Sequence, residues 1–214
     1  MSAIFATLWL ILAIDPIERS TWWLENLLIF LAVATLITTR KSLPLSTASY
    51  VMIFFFLCLH AIGAHYTYSL VPYETALRDL GIGSLASAFD LQRNHYDRLV
   101  HFAYGLLLAL PLRELLMRFA NVRGFWSYFL PLDIVMSSSL CYELLEWAAA
   151  IAVGGGVGAA FLGTQGDEWD AHQDMLMAAI GGLIAMLAVW RINRHRRYDM
   201  TLLWLSQTRP VNAR

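Results

Sequence analysis

Apolar residues run in long blocks along this chain, and the polar residues gather between them. Blocks at about 22–38, 46–62, 98–117, 125–151 and 173–192 are each long enough to cross a hydrocarbon core of roughly 30 Å as a helix. A sixth block at about 2–14 falls short of the usual 17–25 residues and reads as a short span, a re-entrant piece or an interfacial helix. The expected fold class is all-α, a polytopic transmembrane helical bundle of five or six helices, with residues 1–214 as a single integral membrane domain. The first block has no basic residue ahead of it and ends at Asp15-Pro16, not at a small-residue cleavage site, so it is not read as a signal peptide.

The loops give the bundle a direction. Arg40 and Lys41 follow the second block, and Arg113, Arg118 and Arg123 lie at the end of the fourth. Arg191, Arg194, Arg196, Arg197, Arg209 and Arg214 follow the sixth, so most of the 15 basic residues share one side. By the positive-inside rule that side is cytoplasmic, including a basic tail at 193–214. Two longer loops, 63–97 and 154–171, then face outside. The first carries an amphipathic stretch from Tyr73 to Phe89, expected as a helix lying in the interface. The second opens with Gly154-Gly155-Gly156, expected to end the fifth spanning helix in a flexible turn. Trp22, Trp23, Trp126, Trp147 and Trp169 fall near span boundaries, as in an aromatic belt.

The outer ends of the blocks carry the chemistry. Ionisable groups at membrane depth are expensive and usually face the bundle interior, where they mark function. Asp97 and His101 are four apart on one helical face, as are Asp170 and Asp174. Behind Asp174 the stripe continues through Ala178, Gly181, Gly182 and Ala185, small residues that let helices approach. Ser139, Glu143, Glu146 and Ala150 make one stripe on the fifth spanning helix. Glu143 lies about 14 residues from Phe129, or roughly 21 Å along the helix, which is the outer third of the core. The expected ligand-binding set is His60, His65, Asp97, His101, Glu143, Glu146, Asp167, Asp170 and Asp174, with His101, Glu143, Asp170 and Asp174 as the metal-ligating candidates. Each of these residues also has a structural reading, as an interfacial ion pair, a helix-terminal charge or a hydrogen-bonding partner between helices.

Composition narrows the ligand. The chain is 58% hydrophobic and 14% charged, with mean hydropathy +0.55, against roughly a quarter charged in soluble domains. Its net charge of -1 argues against nucleic acid. The outer acids have few cationic neighbours in sequence, chiefly Arg93 and Arg98. Gathering them in one place either raises several of their pKa values or calls for a cation, and a divalent metal, a protonated His, a proton pathway or an ammonium group would all serve. Imidazole and carboxylate ligands together suit zinc, manganese or iron. Cys58 and Cys141 sit in apolar runs and form no metal-binding pattern, so they read as buried packing thiols. Asp133 is expected to pair with Arg113 or Arg118, and Ser137-Ser138-Ser139 to hydrogen-bond between helices.

Four motifs carry a family resemblance: His60-x-x-Gly63-Ala64-His65-Tyr66-Thr67-Tyr68, Asn94-His95-Tyr96-Asp97-Arg98-Leu99-Val100-His101-Phe102, Tyr142-Glu143-x-x-Glu146-Trp147, and Gly163-Thr164-Gln165-Gly166-Asp167-x-Trp169-Asp170 with Asp174-Met175. In these the chain resembles the YjdF-like bacterial inner-membrane proteins, a family of unknown function. Asp97-Arg98-x-x-His101-Phe102 is more distantly similar to the Asp-Lys-x-x-His-Phe motif of VanZ-like membrane proteins, which are linked to glycopeptide-antibiotic resistance. Such proteins tend to carry Asn four residues after the later Asp, where this chain has Ala178. The resemblance implies a multi-pass protein of the bacterial plasma membrane and supplies no reaction.

The sequence contains no complete catalytic signature. The expected function is therefore a membrane protein of unknown activity whose outer-face His/Asp/Glu pocket takes a cation or cationic group, with zinc or manganese as the candidate cofactor. Its partners are the lipid bilayer and a lipid or cell-envelope ligand. Two alternatives stand beside it: a metal-dependent membrane hydrolase or transferase acting on lipid-linked substrates, and a proton-coupled transporter.

Overall fold

The computed structural model describes residues 1–89 and 92–208, and the regular structure among them is helical. Five helices have the length and apolarity to cross a membrane: α2 (Arg19–Thr39), α3 (Thr47–His65), α6 (Tyr96–Phe119), α7 (Trp126–Val153) and α9 (Asp170–Arg196). The remaining ones are α1 (Ser2–Leu12), α4 (Tyr73–Asp79), α5 (Leu85–Phe89), α8 (Gly155–Leu162) and α10 (Met200–Thr208). At 11 residues α1 is about 16 Å long, roughly half a hydrocarbon core. It docks on its neighbours instead: Trp9 Nε1 donates to Asn26 Oδ1 at 2.5 Å, and the Leu12 carbonyl lies 2.8 Å from His65 Nδ1.

The centre of the bundle is the α6–α9 pair, with α3 and α7 packed around it. Helices in lipid gain no hydrophobic drive from meeting each other, so close backbone approach must supply the attraction. Gly105 on α6 faces the Ala178 carbonyl and the Gly182 amide, while Gly181 on α9 faces the Phe102 carbonyl and the Leu106 amide. Ala109, Val135, Ala178, Ala185 and Met186 fill the space beside this seam.

The two longer loops, 63–97 and 154–171, depart in part from their sequence reading. The Tyr73–Phe89 stretch is two short helices, because Gly81 and Gly83 take positive φ (73° and 103°) between them. Glu74 ties the two together by accepting from Ser84 Oγ at 2.8 Å and from the Ala86 amide at 2.9 Å. The glycines after α7 form a turn at Gly154 and then a helix, α8, which folds back on α7 with Gly158 against the Ala150 carbonyl. Trp23, Trp126, Trp147 and Trp169 are exposed, as a belt requires, but Trp22 is buried against Trp9. Cys141 is likewise exposed on α7, not buried.

The basic end is closed by Arg113, which is fully buried. It pairs with Asp199, donates to Thr201 Oγ1 at 2.7 Å and to Ser127 Oγ at 3.1 Å, and stacks on Tyr128. The expected partner Asp133 is exposed, since it falls on the lipid-facing side of α7. Burial disfavours the Asp199 charge, but the Arg113 hydrogen bond and charge and the Leu202 and Thr201 amides outweigh it, holding its carboxyl below the usual range.

Candidate functional site

The opposite end of the bundle collects acids from four helices. The first turns of α6 present Asp97 and His101, α7 presents Glu143 and Glu146, α9 presents Asp170 and Asp174, and α2 presents Glu25. Glu25, His101, Glu143, Glu146, Asp170 and Asp174 are buried. His101 is the hub. Its Nε2 lies 3.7 Å from Asp97 Oδ1 and 3.4 Å from Glu143 Oε1. Asp97, His101 and Asp174 each offer one ligand atom, and the three atoms lie within 4.8 Å of one another. Three carboxylate oxygens in this cluster, Glu143 Oε1, Asp170 Oδ1 and Asp174 Oδ1, are buried without a hydrogen bond, as is the nearby Ser139 hydroxyl, and of the three only Asp170 Oδ1 meets an arginine among the described residues.

Arginines divide the acids into two groups. Arg93 reaches Asp170 at 2.6 Å and Asp167 at 3.4 Å, while Arg98 reaches Asp167 at 2.7 Å and Asp170 at 3.5 Å. The Asp167 carboxyl is held below its usual range by the Trp169 amide and then by Arg98 and Arg93. Asp97, Glu143 and Asp174 have no arginine or lysine within ion-pair distance among the described residues.

The same contacts roof the site. Asn94 and Gln165 exchange a pair of hydrogen bonds at 3.0 Å, and Arg93 Nη1 donates to the Thr164 carbonyl at 3.0 Å. Left-handed Gly163, at φ 62°, turns this loop past Asp97 Oδ2. His95 accepts from Arg98 Nη1 at 3.1 Å, and its pKa is lowered by burial and by the adjacent arginines.

The histidines of α3 have other partners. His60 Nε2 lies 3.1 Å from the Glu25 carbonyl and Nδ1 bonds the Tyr68 hydroxyl, so both ring nitrogens are engaged. His65 bonds the Leu12 carbonyl, away from the cluster. Glu146 shares its buried surroundings with Glu143, Glu25 and Tyr142. The sequence reading passed over Glu25, which accepts from the Tyr142 hydroxyl at 3.2 Å. Its signal was available: an acid inside the apolar block 22–38.

Beneath the cluster a cavity of about 370 Å³ extends along α6 from Asp97 to Tyr104. Its walls are Leu28, Leu31 and Ala32 of α2, Phe56 and Leu57 of α3, and Ser139, Cys141 and Leu145 of α7. Tyr104 and Ser138 close its deep end with a 2.6 Å hydrogen bond, the interhelical role expected for the three serines, whereas Ser137 donates to the Asp133 carbonyl of its own helix and the Ser139 hydroxyl has no partner among the described residues.

Fold and site together define a polytopic helical membrane protein with a buried, acid-rich end. The chain matches the family described as "Predicted membrane protein (DUF2238)" over residues 1–195, and it belongs to that family. It is 37% identical over 203 residues to "Inner membrane protein YjdF" of Escherichia coli (strain K12), covering 93% of each chain. No solved structure matches it.

Proposed function

We propose that this membrane protein binds a divalent cation, zinc or manganese, through Asp97, His101 and Asp174, with Glu143 beside them. The observation that carries the reading is the convergence of three ligand atoms within 4.8 Å. Metal bonds of about 2.0–2.2 Å draw such a set together through small side-chain rotations. Support comes also from the unpartnered buried oxygens of Asp174 and Glu143, because carboxylates held away from water without a counter-charge are costly. Mixed imidazole and carboxylate donors favour these metals. Asp170, expected among the ligands, is engaged by Arg93 and becomes a supporting residue.

A second reading has one observation in its favour. Three protein ligands leave coordination positions open, and Glu143 stands 3.4 Å from His101 as a carboxylate outside the three-ligand set. That is the arrangement of a metal-activated water with a general base, as a hydrolase or transferase on lipid-linked substrates would need.

The arginine-rich loops and tail support a cytoplasmic C-terminus and an outward-facing site. The relative's name supports placement in the bacterial inner membrane. Elemental analysis of the purified protein tests the central claim. Stoichiometric zinc or manganese is expected, lost in His101→Ala and Asp174→Ala while helicity and monodispersity persist. Metal-free wild-type protein, unchanged in stability by chelator or added metal, overturns it.

A further inference from the structure

The cavity beneath the acid cluster opens sideways into the bilayer. Leu28 and Leu31 on α2 and Cys141 and Leu145 on α7 line it and are exposed, Leu31 at 63% and Leu145 at 65%. All four lie on membrane-spanning helices, so this opening faces hydrocarbon. On the loop side, the site is bridged by the hydrogen bonds joining Asn94 to Gln165 and Arg93 to Thr164. A ligand therefore reaches the cluster most directly from the membrane, between α2 and α7.

The cavity has two chemically distinct ends. Its length is apolar, with Leu57, Ile29, Ala32 and Val100 in the wall. Its upper end is His60, Asp97 and His101, two of which belong to the convergent metal-ligand set. Ser139, only 2% exposed and with an unpartnered hydroxyl, also faces this space. A volume of about 370 Å³ falls in the range of ligand pockets. Such a gradient fits an amphiphile, its chain in the groove and its polar group at the cluster.

From this we infer that the cavity takes a phosphate-bearing membrane lipid, with one hydrocarbon chain between α2 and α7 and its phosphate oxygens on the open positions of the cation. The inference rests on the cation reading for its headgroup, and on the lateral opening alone for its chain. A phosphate suits the site only with the cation present, because Asp97, Glu143 and Asp174 would otherwise repel it. With three protein ligands on the metal, anionic oxygens complete its coordination.

Photolabelling in nanodiscs tests both halves. The probe is phosphatidic acid with a diazirine in one acyl chain, bound to the full-length protein, with dioleoyl phosphatidic acid, dioleoylglycerol or inorganic phosphate as competitor. Labelling is expected on α2 and α7 peptides around Leu31 and Leu145. Phosphatidic acid should compete about tenfold better than dioleoylglycerol, and inorganic phosphate should compete poorly. Ala32→Trp fills the groove and Leu145→Trp blocks its rim; each should abolish most labelling with metal content unchanged. Leu145 is exposed to lipid, so its replacement keeps the test valid if Ala32→Trp fails to fold. In Asp174→Asn the preference for phosphate should vanish while chain labelling remains. Labelling unaffected by either tryptophan overturns the cavity assignment. Equal competition by the two lipids in the wild type overturns the headgroup assignment. Metal-free wild type with groove-specific labelling overturns the cation reading and the phosphate contact, while supporting the chain site.

Discussion

Replacing Gly181 by alanine probes the seam on which the acid cluster depends. An added Cβ would meet the Phe102 carbonyl oxygen, with the Leu106 amide nitrogen at 2.8 Å and the Phe102 carbonyl carbon at 3.1 Å. Ordinary contact begins at 3.4 Å, and the obstructing atoms are helix backbone that cannot rotate away. The helices must separate by more than half an ångström, or one must shift along the other. Overpacking costs about 1–3 kcal/mol, and a rigid obstacle places this case near about 2–3. The same separation pulls Asp97 and His101 on α6 from Asp174 on α9. Metal sites tolerate about 0.2 Å in ligand distance, so metal affinity should fall together with stability. Gly105→Ala clashes with Ala178 and Gly182 across the same seam, so once α6 and α9 have parted for one substitution the other costs less. The double mutant should fall short of additivity by about 1 kcal/mol. Gly156→Ala is the control: nothing lies within 4 Å of its added Cβ, and helix propensity favours the change. Equilibrium unfolding in mixed detergent micelles measures all four variants. A Gly181→Ala midpoint equal to wild type, or strict additivity, refutes the close-approach argument.

Other perturbations separate the rest of the framework from the site. Arg113→Ala should cost about 3 kcal/mol, the low end for breaking a buried pair, because Asp199 retains access to water; proteolysis within α10 reads its release. The Asp199 carboxyl has a depressed folded pKa, so its contribution is complete above the unfolded value of about 3.9 and is lost as pH falls through the lower folded value; pepsin cleavage of α10 should therefore rise only below about pH 4. Tyr68→Phe leaves His60 Nδ1 unpaired and should cost about 1–3 kcal/mol without altering metal content. Asp170→Asn should weaken the roof through Arg93, measured as faster hydrogen exchange at residues 163–167, whereas Asp174→Asn should raise metal-free stability and abolish stabilisation by added metal.

The lengths of the apolar blocks foretold all five spanning helices, since spanning a fixed thickness with satisfied backbone leaves a helix little freedom. The stripe Asp174, Ala178, Gly181 and Ala185 gave the buried face of α9, because small residues are informative where helices meet in lipid. The division of the acids was not readable. Arg93 meets Asp167 and Asp170 across more than 70 residues, and that meeting depends on how Gly163 turns the loop before α9. Glycine was only partly readable. Gly154 ends α7 in a turn as expected, but the helix that follows, with Gly158 against Ala150, is absent from the sequence reading. The stretch from Tyr73 to Phe89 reads in sequence as one amphipathic helix, and Gly81 and Gly83 divide it. Glycine marks both a break and a close approach, and only the third dimension tells which.

The arginines decide what the acid-rich end can do. Without Arg93 and Arg98, Asp167 and Asp170 would add to an uncompensated carboxylate cluster. With them, one acidic layer becomes an ion-paired roof, and the layer without arginine partners is left facing His101. Pairing all the acids with arginine would give a stable end with no affinity for a cation. Pairing none would make the end too costly to bury. The arrangement therefore confines the electrostatic cost to Asp97, Glu143 and Asp174, the carboxylates that adjoin the lateral cavity through Asp97 and His101. Under the proposed cation reading, a group that relieves this cost would draw on the free energy stored there, and the side opening would admit its companion from the lipid.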